Sequence, residues 1–566
     1  MDVRIHLENN YSPWKMAEEN DTQCWIKGDL FYNDEPLQES AALSLFSSLP
    51  FSCNTDSHVL RDLLLRINGS FALVIKTPCR ILCVVDRIRS IPLFYAKTDS
   101  SLDISDDANN LREQINPLLN EISGAEFLVA GYVTGSATLF DGIYQIRAGE
   151  YLDVTGEGGF LTTSVYHRFW HENYYPDTEE ELLKRLDIVF TQVFRRLITS
   201  IKEHGYQIVV PLSGGLDSRV IVSMLKRCGV DDAICFSYGR KGNREAKISR
   251  QVAEVLGYQW LFVEYPTNNS DYYQPEDLKK FQRYAGNLVS LPHIQDFFAV
   301  KKLKADRAIP DNAIFLPGHT GDMLTGSHIP RNLDRSQDCT NETFWEHILR
   351  THYCLWDWRN VAQIDQIFKE IIEKAIAGVE VDDSESCANA IELFDFSERQ
   401  AKFIVNSVRV YEFFGYSWGI PLWDNELIEF FKKIPLKYRV GSCLYKKYTV
   451  EKLFVNSLHD LSRIDCTTSL SENCHLLSSV NILNYCRETV SNFKSIFSYD
   501  IEGAFTQQNP AITNIISRFF GYQPESYHNF KLINDIFVYS QNSRFVPTVN
   551  GRGTIDYLKN IFPDNN

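Results

Sequence analysis

The stretch Leu212-Ser213-Gly214-Gly215-Leu216-Asp217-Ser218 decides the fold of this 566-residue chain. Ahead of it runs Ile208-Val209-Val210, an apolar run that reads as a buried strand. Behind it, Val220, Ile221, Met224 and Leu225 recur at helical spacing. A glycine pair between strand and helix makes a tight turn whose backbone N–H groups surround an anion. The helix N-terminus adds its unpaired N–H groups and the positive end of its dipole. Ser213 and Ser218 supply hydroxyls to the same anion, and Asp217 supplies a carboxylate for a magnesium ion.

No G-x-x-x-x-G-K-[ST] string is present at this turn, and no lysine follows its glycines. The string S-G-G-x-D-S resembles the pyrophosphate loop (PP-loop) of ATP pyrophosphatases. The resemblance implies that Leu212, Ser213, Gly214, Gly215, Asp217 and Ser218, together with Gly318 further on, bind ATP, which is cleaved between its α and β phosphates. Downstream, strand and helix alternate. Residues 233–238 read as a strand, 243–256 as a helix stopped by Gly257, and 260–263 as the next strand. Such alternation predicts a parallel sheet with ligands at the carboxyl ends of its strands. Adenine is expected near Phe236, Ser237 and Tyr238.

A further strand, 313–316, runs into Pro317-Gly318-His319-Thr320-Gly321-Asp322. Asp322 and Asp217, at two strand ends, suit one magnesium ion carried on ATP. The two loops together resemble the synthetase domain of the asparagine synthetase family, which implies asparagine biosynthesis or a related amide-forming reaction. That family has S-G-G-L-D-S and, after a later strand, G-E-G-S-D-E-x-x-G-G. Here Gly318, Asp322 and Gly326 are kept, and His319 replaces a glutamate that lies close to the reacting amine. A neutral histidine can take a proton from an attacking amine, or it can simply shape the loop. Residues 398–403 open a helix. Gly415 to Asp424 resembles the family segment ending in P-F-L-D through Pro421 and Asp424, with Ser417 and Gly419 in place of its acidic and arginine residues. Glu412, Arg409 and Lys447 are candidate acceptor or transition-state residues, each weighed against a plain solvated charge.

The first part of the chain reads as β-rich, with strands at 67–75, 80–87 and 91–96. Asn68-Gly69 serves as a hairpin cue. The pattern N-G-x-F-A followed by D-R-x-x-x-x-P-L-F-Y resembles the class II glutamine amidotransferase domain. The resemblance implies an Ntn-type, β-sandwich-like domain ahead of an adenine-nucleotide α-hydrolase-like parallel-sheet domain, an α/β and α+β chain. Its chemistry uses an N-terminal cysteine, whereas Asp2 follows Met1 here and the first cysteine is Cys24. The segment before Gly28 leaves no room for the early glutaminase strands. In an active member Asn68 and Gly69 form the oxyanion hole and Asp86 binds glutamine. Here they read as a turn and a structural carboxylate. Glutaminase activity is not expected, a situation that resembles β-lactam synthetases.

The net charge of −16 opposes a nucleic-acid or anionic-membrane partner. Thirteen cysteines without a C-x-x-C pair suit a reducing cytosol. No signal segment or apolar run of about 20 residues is present, so the expectation is a cytoplasmic protein. The expected domains are residues 1–165, 180–460 and a C-terminal extension, 461–566, without a motif. The expected cofactors are ATP and Mg2+. The expected partners are a small-molecule or peptide carboxylate and an ammonia or amine donor, and the chain can also form a homodimer. Three activities stay open: amide formation with ammonia, intramolecular cyclisation of the β-lactam synthetase or lasso-peptide cyclase type, and a non-catalytic scaffold.

Overall fold

The glycine-rich turn leaves the central strand of a five-stranded parallel sheet. The computed structural model describes residues 2–461 except 9–10, 34, 49–56, 157–159, 267–275, 332, 334–338, 356–361 and 455–460. The expected C-terminal extension therefore lies outside the described residues, apart from Leu461.

The N-terminal part holds eleven strands among the described residues: β1 (Asp2–His6), β2 (Lys15–Glu19), β3 (Thr22–Tyr32), β4 (Glu35–Pro36), β5 (Ile67–Lys76), β6 (Arg80–Val85), β7 (Phe94–Lys97), β8 (Ser101–Ser105), β9 (Ile143–Gln145), β10 (Glu150–Thr155) and β11 (Phe160–Val165). They form one sheet in the order β1-β8-β7-β9 and a larger one in the order β11-β10-β6-β5-β3-β2, with β4 on β3. Strand alternation sorts the side chains of β5 onto two faces. Phe71, Leu73 and Ile75 pack beneath helices α1 (Glu39–Ser48) and α2 (Ser57–Leu65), against Phe46, Leu60 and Leu64. Ala72 and Val74 face the smaller sheet, meeting Tyr95, Leu102 and Ile104. The two sheets thus stack as a sandwich. The outer face of the smaller sheet, with Phe94 and Ala96, carries α3 (Ala108–Ile115) and α4 (Glu121–Ala130). That layer shares its core with Ile348, Phe368 and Phe394 of the second half.

Two expectations are corrected here. Asn68-Gly69 is not a hairpin turn. Both residues lie inside β5, paired with Phe31 and Leu30. Gly69 has φ +114° and Gly28 has φ +89°, and a Cβ on either would sit 2.1 Å from a carbonyl oxygen of the opposite strand. Glycine is needed for close approach, not for reversal. The turn between β5 and β6 falls instead at Thr77–Arg80, where Thr77 N–H donates to the Arg80 carbonyl at 2.8 Å. The segment before Gly28 does hold strands: β1 pairs in parallel with β8, and β2 pairs antiparallel with β3.

A 25-residue helix, α5 (Glu179–Glu203), leads into the second part and is closed at its start by a Thr178/Glu181 capping box. Then come β12 (Gln207–Pro211), α6 (Leu216–Arg227), β13 (Ile234–Gly239), α7 (Arg244–Leu256), β14 (Gln259–Glu264), β15 (Ala313–Phe315) and β16 (Ser417–Trp418). The sheet order is β14-β13-β12-β15-β16, and every pair is parallel. The chain continues to one side of β12 through β13 and to the other through β15. The loops after β12 and β15 therefore flank the topological switch point. Among the described residues no helix is long and apolar enough to cross a membrane.

Polar contacts stitch the halves together. Arg409 donates to the Ser90 carbonyl at 2.5 Å, and Lys402 donates to the carbonyls of Val133 and Gly135 at 2.7 and 2.8 Å. Arg87 pairs with Glu429 at 2.7 Å.

Candidate active site

Strand β12 delivers Leu212 to the end of the sheet, where its N–H donates to the Phe236 carbonyl at 2.8 Å. From there the glycine turn is organised by its own hydroxyls. Ser213 and Ser218 Oγ atoms lie 3.0 Å apart. Ser218 Oγ accepts from Ser213 N–H at 3.1 Å, and Ser213 Oγ accepts from Gly215 N–H at 3.1 Å. Gly215 caps α6 and has no side chain to spend on the first-turn N–H groups. This is the arrangement an anion site requires. Beneath the turn, the fully buried Arg219 donates to the Gly214 carbonyl at 2.9 Å. A Cβ on Gly214 would lie 3.3 Å from Glu245 Cα, so the first turn of α7 crowds the loop.

The second loop interlocks with the first. A Cβ on Gly318 would lie 2.6 Å from Ser218 N, and one on Gly321 would lie 2.5 Å from Asp217 Oδ1. Only glycine at these two positions lets the loops touch. Asp217 Oδ1 also accepts from the buried Tyr445 hydroxyl at 2.9 Å. Asp322 Oδ1 accepts from Met323 N–H at 2.8 Å, and its other oxygen lies 3.4 Å from His328 Nε2. Tyr445 feels both carboxylates, and burial together with Asp217 raises its hydroxyl well above the ordinary phenol value. Asp217 and Asp322 thus both bear on the Tyr445 hydroxyl. The donor set, two carboxylates beside an anion cradle, fits magnesium, which takes its remaining ligands from phosphate and water.

His319 is half-buried in the second loop, its ring 5.9 Å from that of His293. Loss of solvent around the ring holds its imidazole below the ordinary value, while Asp296 and Asp322 pull the other way. Asp296 is spent on two tyrosines, accepting from Tyr238 at 2.5 Å and Tyr411 at 2.6 Å.

Other expected site residues fall elsewhere. The Phe236 side chain is buried in the sheet, edge-on to Phe315 at 5.9 Å, and offers nothing to a nucleotide. Ser237, also buried, follows it on β13. Glu412 is enclosed by Arg409, by the Tyr284 hydroxyl at 2.5 Å and by Trp418 Nε1 at 2.7 Å. With Arg409 it forms a buried cluster at the seam. Lys447 pairs with Glu179, in the first turn of α5, at 2.5 Å. Its neighbour Tyr445, two residues earlier, is the one that reaches the loops. Tyr445, Arg219 and His328 escape a reading of the sequence, because each contacts the loops through the fold and belongs to no motif.

In the first part, the residues of the amidotransferase pattern are committed to structure. Asn68 Nδ2 lies 3.4 Å from both oxygens of Asp424, and its Oδ1 accepts from Gly69 N–H at 2.8 Å. Asp86 is buried and accepts from Phe71 and Ile88 N–H at 2.9 Å and from Ser90. Burial pushes the Cys24 thiol up to about 12.

Residues 199–460 match the asparagine synthase family. The chain is 26% identical over 204 residues to the carboxyethyl-arginine beta-lactam-synthase of Streptomyces clavuligerus, covering 36% of each protein. It thus spans about a third of the length of the curated relative that it matches. Among solved structures it is similar to a glutamine phosphoribosylpyrophosphate amidotransferase from B. subtilis complexed with ADP and GMP, with 10% identity and a TM-score of 0.19 over 44% of this chain and 72% of that one. It is also similar to an allosteric regulatory enzyme of purine biosynthesis, with 10% identity and a TM-score of 0.17 over 43% and 61%. Superpositions this slight fix neither fold nor function.

Proposed function

With residues 199–460 forming an asparagine synthase-family domain, divergent at its second loop, we propose that this protein is an ATP-dependent, amide-forming ligase that works through a carboxylate adenylate. The observation that carries this reading is the interlock of the two loops. Gly321 packs on Asp217 and Gly318 packs on Ser218, so the anion cradle and both carboxylates share one end of the sheet.

The substrate carboxylate oxygen attacks the α phosphorus of ATP, and the bond to pyrophosphate breaks. The N–H groups of the turn and the α6 dipole hold the charge that builds on the departing pyrophosphate. Asp217 and Asp322 would hold magnesium, which neutralises phosphate charge when bound. The amine then attacks the acyl carbon and AMP leaves. His319, half-buried in the second loop, takes the amine proton.

Glutamine is not the nitrogen source in this reading. Asn68 is turned to Asp424, and Cys24 is a buried, high-value thiol. Ammonia or an amine of the substrate serves instead. The similarity to a beta-lactam-synthase favours the second, an intramolecular ring closure.

Product analysis tests the proposal. Incubation with Mg-ATP and a panel of amino-bearing carboxylates should give AMP and pyrophosphate in equal amounts, with no glutamate from glutamine. Release of ADP and phosphate would rule out adenylation.

A further inference from the structure

The second loop is held in a costly shape. Thr320, a β-branched residue, has φ +76° and ψ −3°, in the left-handed region. Such a residue persists only where its surroundings enforce it, at a cost of roughly 1–3 kcal/mol. The enforcing contact is visible: Thr320 Oγ1 donates to Gln400 Oε1 at 3.0 Å, and both side chains are buried.

Gln400 lies on a π-helix, Phe396–Ile404, that continues directly from the helix Ser384–Asp395. Its Nε2 donates to Asp395 Oδ1 at 3.3 Å. These two residues are five apart in sequence. An α-helix brings together side chains three or four apart, whereas i→i+5 winding brings these two together. The other oxygen of Asp395 holds His328 Nδ1, and His328 Nε2 faces Asp322 at 3.4 Å. The contacts leave the loop at Thr320, pass through the π-helix and return to the loop at the Asp322 carboxylate.

We infer that Gln400, Asp395 and His328 form a strap that presets the Asp322 carboxylate for a divalent cation carried on nucleotide phosphates. The inference rests on the proposed role of Asp322 as a magnesium ligand. His328 and Gln400 are positioning residues in this account, because they act through Asp322 and the loop that bears it. The strap also gives the π-helix a purpose, since an α-helical winding would part Gln400 from Asp395 and release Thr320.

The test measures binding of Mn2+ with α,β-methylene-ATP to the full chain by electron paramagnetic resonance, with folding checked by near-ultraviolet circular dichroism. Changing outer-shell partners of metal ligands typically weakens metal affinity 10- to 100-fold. His328→Gln should therefore weaken Mn2+ by about tenfold. Gln400→Met and Thr320→Val should weaken it in the same direction, and Thr320→Ser should restore it. Should His328→Gln fail to fold, the Gln400 and Thr320 variants carry the test. Wild-type Mn2+ affinity in folded strap variants, alongside a loss in Asp322→Asn, would overturn the strap and leave the metal site standing. Wild-type affinity in Asp322→Asn would overturn the metal site itself.

Discussion

Two places in this molecule carry a recognisable family pattern, and they treat their polar atoms in opposite ways. In the first part, Asn68 faces Asp424 across the seam, Asp86 is filled by Phe71, Ile88 and Ser90, and the Cys24 thiol is buried. In the second part, Gly215 caps α6 without a side chain, and Gly318 and Gly321 let the second loop touch Ser218 and Asp217. In our reading the first pattern serves as architecture and the second as a site. The contrast lies in the first-turn N–H groups of α6, which Gly215 leaves without a side-chain cap, since the side chains of both regions also bond to the protein itself.

The comparison breaks at once if the second region can lose its carboxylates without harm. Asp217→Asn and Asp322→Asn should each lower turnover about a thousandfold, roughly 4 kcal/mol of transition-state stabilisation. Their circular dichroism should stay that of the wild type. The seam should show the reverse. Glu412→Ala strands the buried Arg409 cation and should cost roughly 3 kcal/mol in urea unfolding. Residual folded enzyme should keep a normal KM for ATP, and a selective rise in that KM would return Glu412 to the site.

A pH series probes the same seam. His352 accepts or donates at Tyr132 across the two parts, and burial lowers its imidazole to about 3. An unfolded histidine titrates near 6.5, so the unfolded chain binds the extra proton below that value. Stability from the neutral ring is full above pH 6.5 and is lost as the pH falls towards 3. Between pH 6.5 and 5 the loss is roughly 2 kcal/mol. His352→Gln should flatten the fall of Tm over that interval, and an unchanged slope would remove His352 as its source. The smallest effect belongs to Asn68→Ala. It should cost about 1 kcal/mol of stability, typical of one hydrogen-bonded polar group, and leave glutamine untouched as in the wild type. Glutamate release by the wild type and its loss in this variant would place chemistry back in the first part.

How much of this was legible in the sequence follows from the range of each interaction. The turn at Ser213–Ser218 could be read because strand, glycines and helix are contiguous. The second loop could be read because it repeats that logic after β15. The helix of residues 244–256 also announced itself, through Asn243 at its start and Gly257, with φ +73°, at its end. What could not be read depends on distant pairs. Tyr445 meets Asp217 from 228 positions away, and His328 meets Asp395 from 67. The ion pairs of Glu412 and Lys447 show the same limit from the other side. A charged residue looks alike in sequence whether it faces a substrate or closes an ion pair, and only its neighbours decide. Asn68-Gly69 misled for a local reason. The dipeptide that makes a tight hairpin turn also suits a strand crossed closely by another backbone, as Gly28 crosses here.

The central claim is that the second part joins a carboxylate to AMP before the amide forms. A substrate found in the product screen, labelled with 18O in its carboxylate, tests this most directly through mass spectrometry of the nucleotide after turnover. One labelled oxygen in AMP is the predicted result, since that oxygen bridges the acyl carbon and the α phosphorus and leaves with AMP. Unlabelled AMP, or label in inorganic phosphate beside ADP, would contradict the account.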